Sequence, residues 1–220
     1  MCHSKVAGPS QTRNLLVARP GAGVARGDGA QDSGVMDWTA IREGDVTMAQ
    51  HAELGELLRG AFAHLPGLYP GLRTWSSLRP EARVIGHDDE GAAAAAGVLR
   101  RMIQVGTTDQ LVGVVGLVAV RPALQGHGVG GDLMKRVNAY LADLRVPFGI
   151  LTCADERVAF YQRAGWHRLS PPRRAVFSRD DTKEAAPFVD EIERNTLILP
   201  VAADLDDWPD GDLLWHSAPI

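Results

Sequence analysis

The chain has 220 residues, enough for one domain of about 150 residues plus an appendage. With 23 Lys+Arg against 27 Asp+Glu its net charge is −4, which excludes a strongly basic nucleic-acid binder. A hydrophobic share of 45% supplies a full core, while no apolar run approaches the roughly 18 residues of a membrane span.

The two cysteines, Cys2 and Cys153, make neither a disulfide framework nor a zinc site. None of the seven histidines pairs at a metal-ligand spacing such as H-x₃-H, so no metal is expected. The expected class is α/β or α+β, in a reducing, cytoplasmic setting. Neither a nucleic-acid nor a membrane partner is expected.

Residues 1–35 are glycine-rich without periodicity and read as a disordered tail, or as an over-called start ahead of Met36. Residues 36–220 then form the domain. A short strand is expected at 38–42, followed by a helix capped by Thr47. Leu54, Leu57, Leu58, Ala61 and Phe62 give that helix its apolar spacing. Pro66, Gly67, Pro70, Gly71 and Pro80 break residues 66–80 into a loop with room for one helical turn, long enough to cover a ligand.

Strands are expected at 83–87, 91–105 and 110–120, and the β-branched third one suits burial on both faces. The alanine run 92–96 marks close packing within the second. A helix carrying Leu133, Met134, Val137, Tyr140, Leu141 and Leu144 follows, then a strand at 148–153. A short helix at 156–164 ends at Gly165. Closing strands at 166–169 and 196–201 flank an insertion at 171–194. The order β-α-β-β-β-α-β-α-β-β gives a mixed, mostly antiparallel central sheet flanked by helices.

The chemistry concentrates where the third of those strands turns into a helix. Gln125, Gly126, His127, Gly128, Val129, Gly130 and Gly131 hold four glycines in six residues. Glycines allow φ > 0, so successive N–H groups can point into one concavity at a helix N-terminus, where an anion is favoured. A Rossmann fingerprint needs other spacing and an acid ending the next strand. A Walker loop needs Gly-Lys-Ser/Thr. Neither is present. What remains is Gln/Arg-x-x-Gly-x-Gly/Ala, met by Gln125, Gly128 and Gly130.

That turn, with Phe160, Tyr161, Gly165 and Trp166 downstream, resembles the GCN5-related N-acetyltransferase superfamily. Stretches between Trp75 and Gly128, such as Arg79-Pro-Glu, Leu99-Arg-Arg and Val120-Arg-Pro, look like the nodulation protein A acyltransferases. Residues 60–63, 161–166 and 207–212 look like aminoglycoside 2′-N-acetyltransferases. The resemblance implies a single acyltransferase domain whose turn binds the pyrophosphate of acetyl-CoA or another acyl-CoA. Val118, Ala119 and Val120 would run along the pantetheine, and a strand N–H near Val118 would polarise the thioester.

The implied acceptor is an amine on an aminosugar or aminoglycoside, attacking the thioester directly. Tyr161 is the implied general acid, with a core tyrosine as the alternative. Asp207 and Asp212 match a substrate-contacting end segment, within an acidic cluster suited to a cation. The acetyltransferase relatives carry a glutamate where this chain has Gly116 and an aspartate where it has Leu65. Their base is therefore not transferable, and a water relayed to backbone carbonyls is the substitute. Donor chain length, a homodimer and a non-catalytic acyl-CoA sensor stay open.

Overall fold

Strand-forming residues are densest between 82 and 120, and the sheet grows outward from there. The computed structural model describes residues 36–75, 79–170, 175–177, 188–189 and 195–215. The tail at 1–35 lies outside them, as does most of the insertion at 171–194.

Strand β1 (Asp37–Arg42) pairs antiparallel with β2 (Ala82–Asp88), and β2 with the 15-residue β3 (Gly91–Val105). A tight turn returns the chain as β4 (Thr108–Val120), antiparallel to β3 along nearly its full length. Every alanine from 92 to 96 is buried, so the run expected to mark close packing is a strand covered on both faces. β5 (Phe148–Cys153) joins β4 in parallel, and β9 (Asn195–Pro200) lies antiparallel beyond it.

Helix α1 (Met48–Ala61) starts at Thr47 with a full capping box. The Gln50 N–H donates to Thr47 Oγ1 at 3.3 Å, and the Thr47 N–H donates to Gln50 Oε1 at 2.9 Å. Helix α2 (Val129–Asp143) buries Leu133, Met134, Val137 and Leu141 on one stripe. Leu141 presses so close to the sheet that a Cβ at Gly113 would lie 2.3 Å from its Cδ2, which is why glycine stands there. Helix α3 (Asp155–Arg163) follows β5 and ends at Gly165, whose φ is +91°.

The two sheet faces are covered differently. α2 and α3 close one over Val84, Val98, Val115, Leu151 and Trp166. α1 covers Ile85, Ala95, Leu117 and Ala119 on the other. A third cluster, with Val112, Val114, Phe148 and Ile150, packs against Trp208 and Trp215 from the C-terminal segment.

Three features depart from the sequence expectations. The closing strand expected at 166–169 shrinks to β6 (His167–Arg168). Inside the insertion, β7 (Ala175–Phe177) and β8 (Phe188–Val189) pair antiparallel. β10 (Leu213–Leu214) joins the far end of β3 opposite Val105 and Gln104. The loop expected after α1 is present as a series of turns, with Tyr69 buried beneath it.

Candidate functional site

The site begins with a separation between two strands. β4 and β5 pair only where Val112, Gly113 and Val114 face Phe148, Gly149 and Ile150. Beyond that, β4 continues to Val120 and β5 to Cys153 without pairing, so their backbone groups border a slot. Just above the last pair, β4 carries a bulge. Gly97 faces Gly116 while Ala95 faces Ala119, which leaves one extra residue on β4. Leu117 absorbs it at φ 55°, a left-handed conformation that non-glycine residues rarely adopt.

The bulge sets the side chains on either side of the strand. Leu117 and Ala119 are buried towards α1, whereas Val118 and Val120 pack partly buried towards α2.

The turn at 125–131 closes the top of this slot. Gly126 and Gly128 sit at φ 82° and 88°, and Gly128 is the N-cap of α2. A Cβ on either would meet nothing within 4 Å, so the concavity is open. The first helix-type bond here runs from the Asp132 N–H to the Gly128 carbonyl, so the N–H groups of residues 126–131 have no backbone acceptor among the described residues. Such a cradle at the positive end of a helix fits a pyrophosphate or a similar anion.

Side chains hold the turn in shape. Gln125 Nε2 donates to the Val120 carbonyl at 3.1 Å, folding the turn back on the strand. His127 Nδ1 lies 2.9 Å from the Gln125 carbonyl, so its ring braces the loop. Arg121 is occupied elsewhere, donating to Asp88, Glu90 and the carbonyls of Gly91 and Ala92.

Tyr161 stands on α3, near Cys153 at the end of β5. It shares a buried cluster with Val115 and Leu151, the first residues of β4 and β5 past their last pair. Its neighbour Phe160 reaches the turn, where a Cβ on Gly130 would stand 3.1 Å from the Phe160 ring. Asn138 on α2 fixes α3 from below, donating to the Ala164 carbonyl at 2.9 Å and accepting from Trp166 Nε1 at 3.2 Å.

The glycine turn and the Phe160–Tyr161 motif therefore lie side by side, joined through Gly130 and the Phe160 ring. Burial, and then the nearby Cys153, push the Tyr161 phenol above its usual value near 10. Burial also pushes the Cys153 thiol up to about 11, so at neutral pH it is a protonated, weakly reactive group.

The acidic end segment lies apart from the turn. Asp207 Oδ2 accepts from the Asp204 N–H at 3.0 Å, completing a capping box around a single 3₁₀ turn. The Asp212 carbonyl accepts from the Gly106 N–H at 2.9 Å, which places it at the tip of the β3–β4 hairpin. At roughly 3.3 Å per residue, the 13 residues of β4 put that tip on the order of 40 Å from the pyrophosphate turn.

One polar constellation escaped the sequence reading. Glu43, Arg83, Thr74 and His51 are all buried in contact under α1. Only the rarity of a buried arginine in a strand could have pointed to it.

Among the described residues no group of histidine, cysteine, aspartate or glutamate could hold a metal ion, and no helix is long and apolar enough to cross a membrane.

A sheet opened between β4 and β5, with a bulge at the opening and a glycine turn above it, defines the GCN5-related N-acetyltransferase fold. Escherichia coli YhbS, solved in complex with CoA, is 16% identical with a TM-score of 0.56, covering 86% of this chain and 94% of its own. Escherichia coli ElaA is 18% identical with a TM-score of 0.52, covering 75% and 99%. An acetyltransferase from Brucella melitensis, in complex with acetyl-CoA, is 18% identical with a TM-score of 0.51, covering 82% and 96%.

The family is narrower than the fold. The model of Nodulation protein A matches residues 33–219. Nodulation protein A of Bradyrhizobium sp. (strain NC92) is 34% identical over 194 residues, covering 84% of this chain and 91% of its own. That of Rhizobium tropici is 30% identical over 191 residues, covering 83% and 96%. The chain belongs to the nodulation protein A family, and it is an N-acyltransferase.

Proposed function

We propose that the protein moves a fatty acyl group from an acyl-CoA thioester to the free amine of a glucosamine unit. The observation that carries this reading is the slot itself, with an open N–H cradle above it and the buried Tyr161 in the cluster that packs against its strands. Residues 126–131 would hold the donor's pyrophosphate. The stretch of β4 from Gly116 to Val120, which does not pair with β5, would lie along the pantetheine, and a β4 N–H at the bulge would stabilise the oxyanion.

The amine attacks the thioester carbonyl, so a C–N bond forms and the C–S bond breaks. The surplus amine proton goes to water, because Gly116 and Leu65 offer no side-chain base. The departing thiolate is protonated. Tyr161 is a phenol whose acidity burial has weakened further, and full transfer from it to a thiolate of pKa ~8.5 is uphill. Its role is to donate a hydrogen bond to the charge growing on sulfur, with water completing the protonation.

Acetyl transfer to an aminoglycoside would rely on Asp207 and Asp212. With Asp207 engaged in a turn and Asp212 at the hairpin tip, the glucosamine reading has the stronger support.

Thiol release would be followed with acetyl-, octanoyl- and dodecanoyl-CoA against glucosamine, a chitooligosaccharide with a free terminal amine, and a 2′-amino aminoglycoside. Release with the longer donors and an aminosugar is expected. Release only with acetyl-CoA and the aminoglycoside would replace the reading. CoA binding with no release from any pair would make the protein a sensor.

A further inference from the structure

We infer that the donor's acyl chain enters an apolar pocket between the C-terminal end of α1 and residues 65–70, and that this pocket sets the chain length accepted. The inference rests on the acyl-transfer reading above and adds the place of the chain. The pocket is a depression of about 240 Å³, open to solvent on one side and walled by Phe62, Ala63, Leu65, Pro66, Tyr69 and Pro70. Its charged neighbour Arg59 is already engaged, with Nη1 donating to the carbonyls of Tyr69 at 3.4 Å and Gly71 at 2.7 Å. A sugar would find few hydrogen-bond partners on such walls, whereas a hydrocarbon needs none.

The pocket also stands in the right place. Tyr69 is buried in one cluster with Leu117 and Ala119, the bulge residues of β4 that point towards α1. Gly60, near the end of α1, packs against Pro122 at the top of β4, where a Cβ would lie 3.6 Å from the proline ring. The pocket thus adjoins, across one strand, the stretch that borders the donor slot. Gly116 keeps partial solvent access between buried Val115 and Leu117, leaving the strand backbone reachable at the bulge. A thioester held there would lie next to the cluster that joins the bulge to Tyr69 in the pocket wall.

The test uses S-alkyl-CoA thioethers, which bind but cannot react, titrated calorimetrically into the wild-type chain and the A63W variant. Ala63 and Leu65 are exposed, so A63W and L65D should both leave folding intact, as checked by thermal melting. Wild-type affinity should rise from ethyl to octyl to dodecyl, by up to about fourfold per methylene buried. In A63W the dodecyl compound should weaken by about tenfold or more while the ethyl compound stays within about twofold. L65D should show the same pattern. Affinity independent of chain length in the wild type, or equal weakening of all three compounds in A63W, overturns the pocket. Chain-dependent binding without turnover on any amine would keep the pocket and reject the transfer reading. Turnover with an unchanged chain preference in A63W would do the reverse.

Discussion

Arg83 on β2 and Glu43, just past β1, form a fully buried bidentate pair, 2.5 Å from Nε to Oε2 and 2.9 Å from Nη2 to Oε1. Arg83 Nη2 also donates to the carbonyl and the hydroxyl of Thr74, at 2.9 and 3.0 Å. One guanidinium therefore ties β1, β2 and the segment entering β2 together. In E43Q the arginine keeps its charge without a counter-charge, and stability should fall by about 3–5 kcal/mol. Urea unfolding measures this. The double variant E43L/R83M should lose much less, because both charges leave the interior together.

His51 extends that network, its Nδ1 lying 3.0 Å from Thr74 Oγ1. Burial lowers its pKa below the ordinary 6.5, with Arg83 and Arg79 adding to the effect and Glu43 opposing it. The unfolded chain then binds more protons than the folded one around that value, so stability rises with pH. It should decline as pH falls through 6.5, the ordinary value, towards the lowered one. Melting temperatures between neutrality and mild acid should show this slope, and H51Q should flatten it.

Replacing Tyr161 by phenylalanine removes the hydroxyl but keeps the ring that packs against Phe160 and Trp166. Loss of that hydrogen bond to the leaving sulfur should lower kcat by about 10²-fold with little change in donor KM. Because burial raises the phenol, it stays protonated throughout the assay range. Any alkaline limb in the pH–rate profile should therefore survive in Y161F. Its disappearance would show that Tyr161 itself titrates in the assay range as the essential acid.

At φ 88°, Gly128 holds a conformation that costs an L-residue about 1–2 kcal/mol. G128V also places a branched side chain in the open cradle. Donor KM should rise by about tenfold or more, while kcat at saturating donor stays near wild type. A Tm lowered by a few degrees with an unchanged KM would separate backbone strain from anion binding.

Long patterned segments were legible from sequence. The turns and apolar spacing around β2, β3 and β4 gave their bounds to within about two residues, and the apolar stripe of α2 was read while its first turn was taken as part of the glycine loop. The glycine turn and Tyr161 were legible because both belong to local motifs. What stayed hidden depends on contacts between distant positions. β10 is two residues long, too short for any periodicity, and exists through pairing with β3. Leu117 carries no sign of a positive φ, because the bulge is imposed by register with β3. Glu43 and Arg83 lie 40 residues apart, and each alone looks like a surface charge. Asp207 looked available for a cation because nothing in the sequence shows that its carboxylate closes its own turn.

Arg59 fastens residues 69–71 by gripping two main-chain carbonyls and no side chain. That fastening is indifferent to which residues stand at 65, 66 or 70. Because the clasp grips main chain, a change of side chain at Leu65 removes none of its hydrogen bonds, so the wall is a panel hung on a separate frame. A library varied at those positions would sample new pocket shapes without redesigning the glycine turn or the slot.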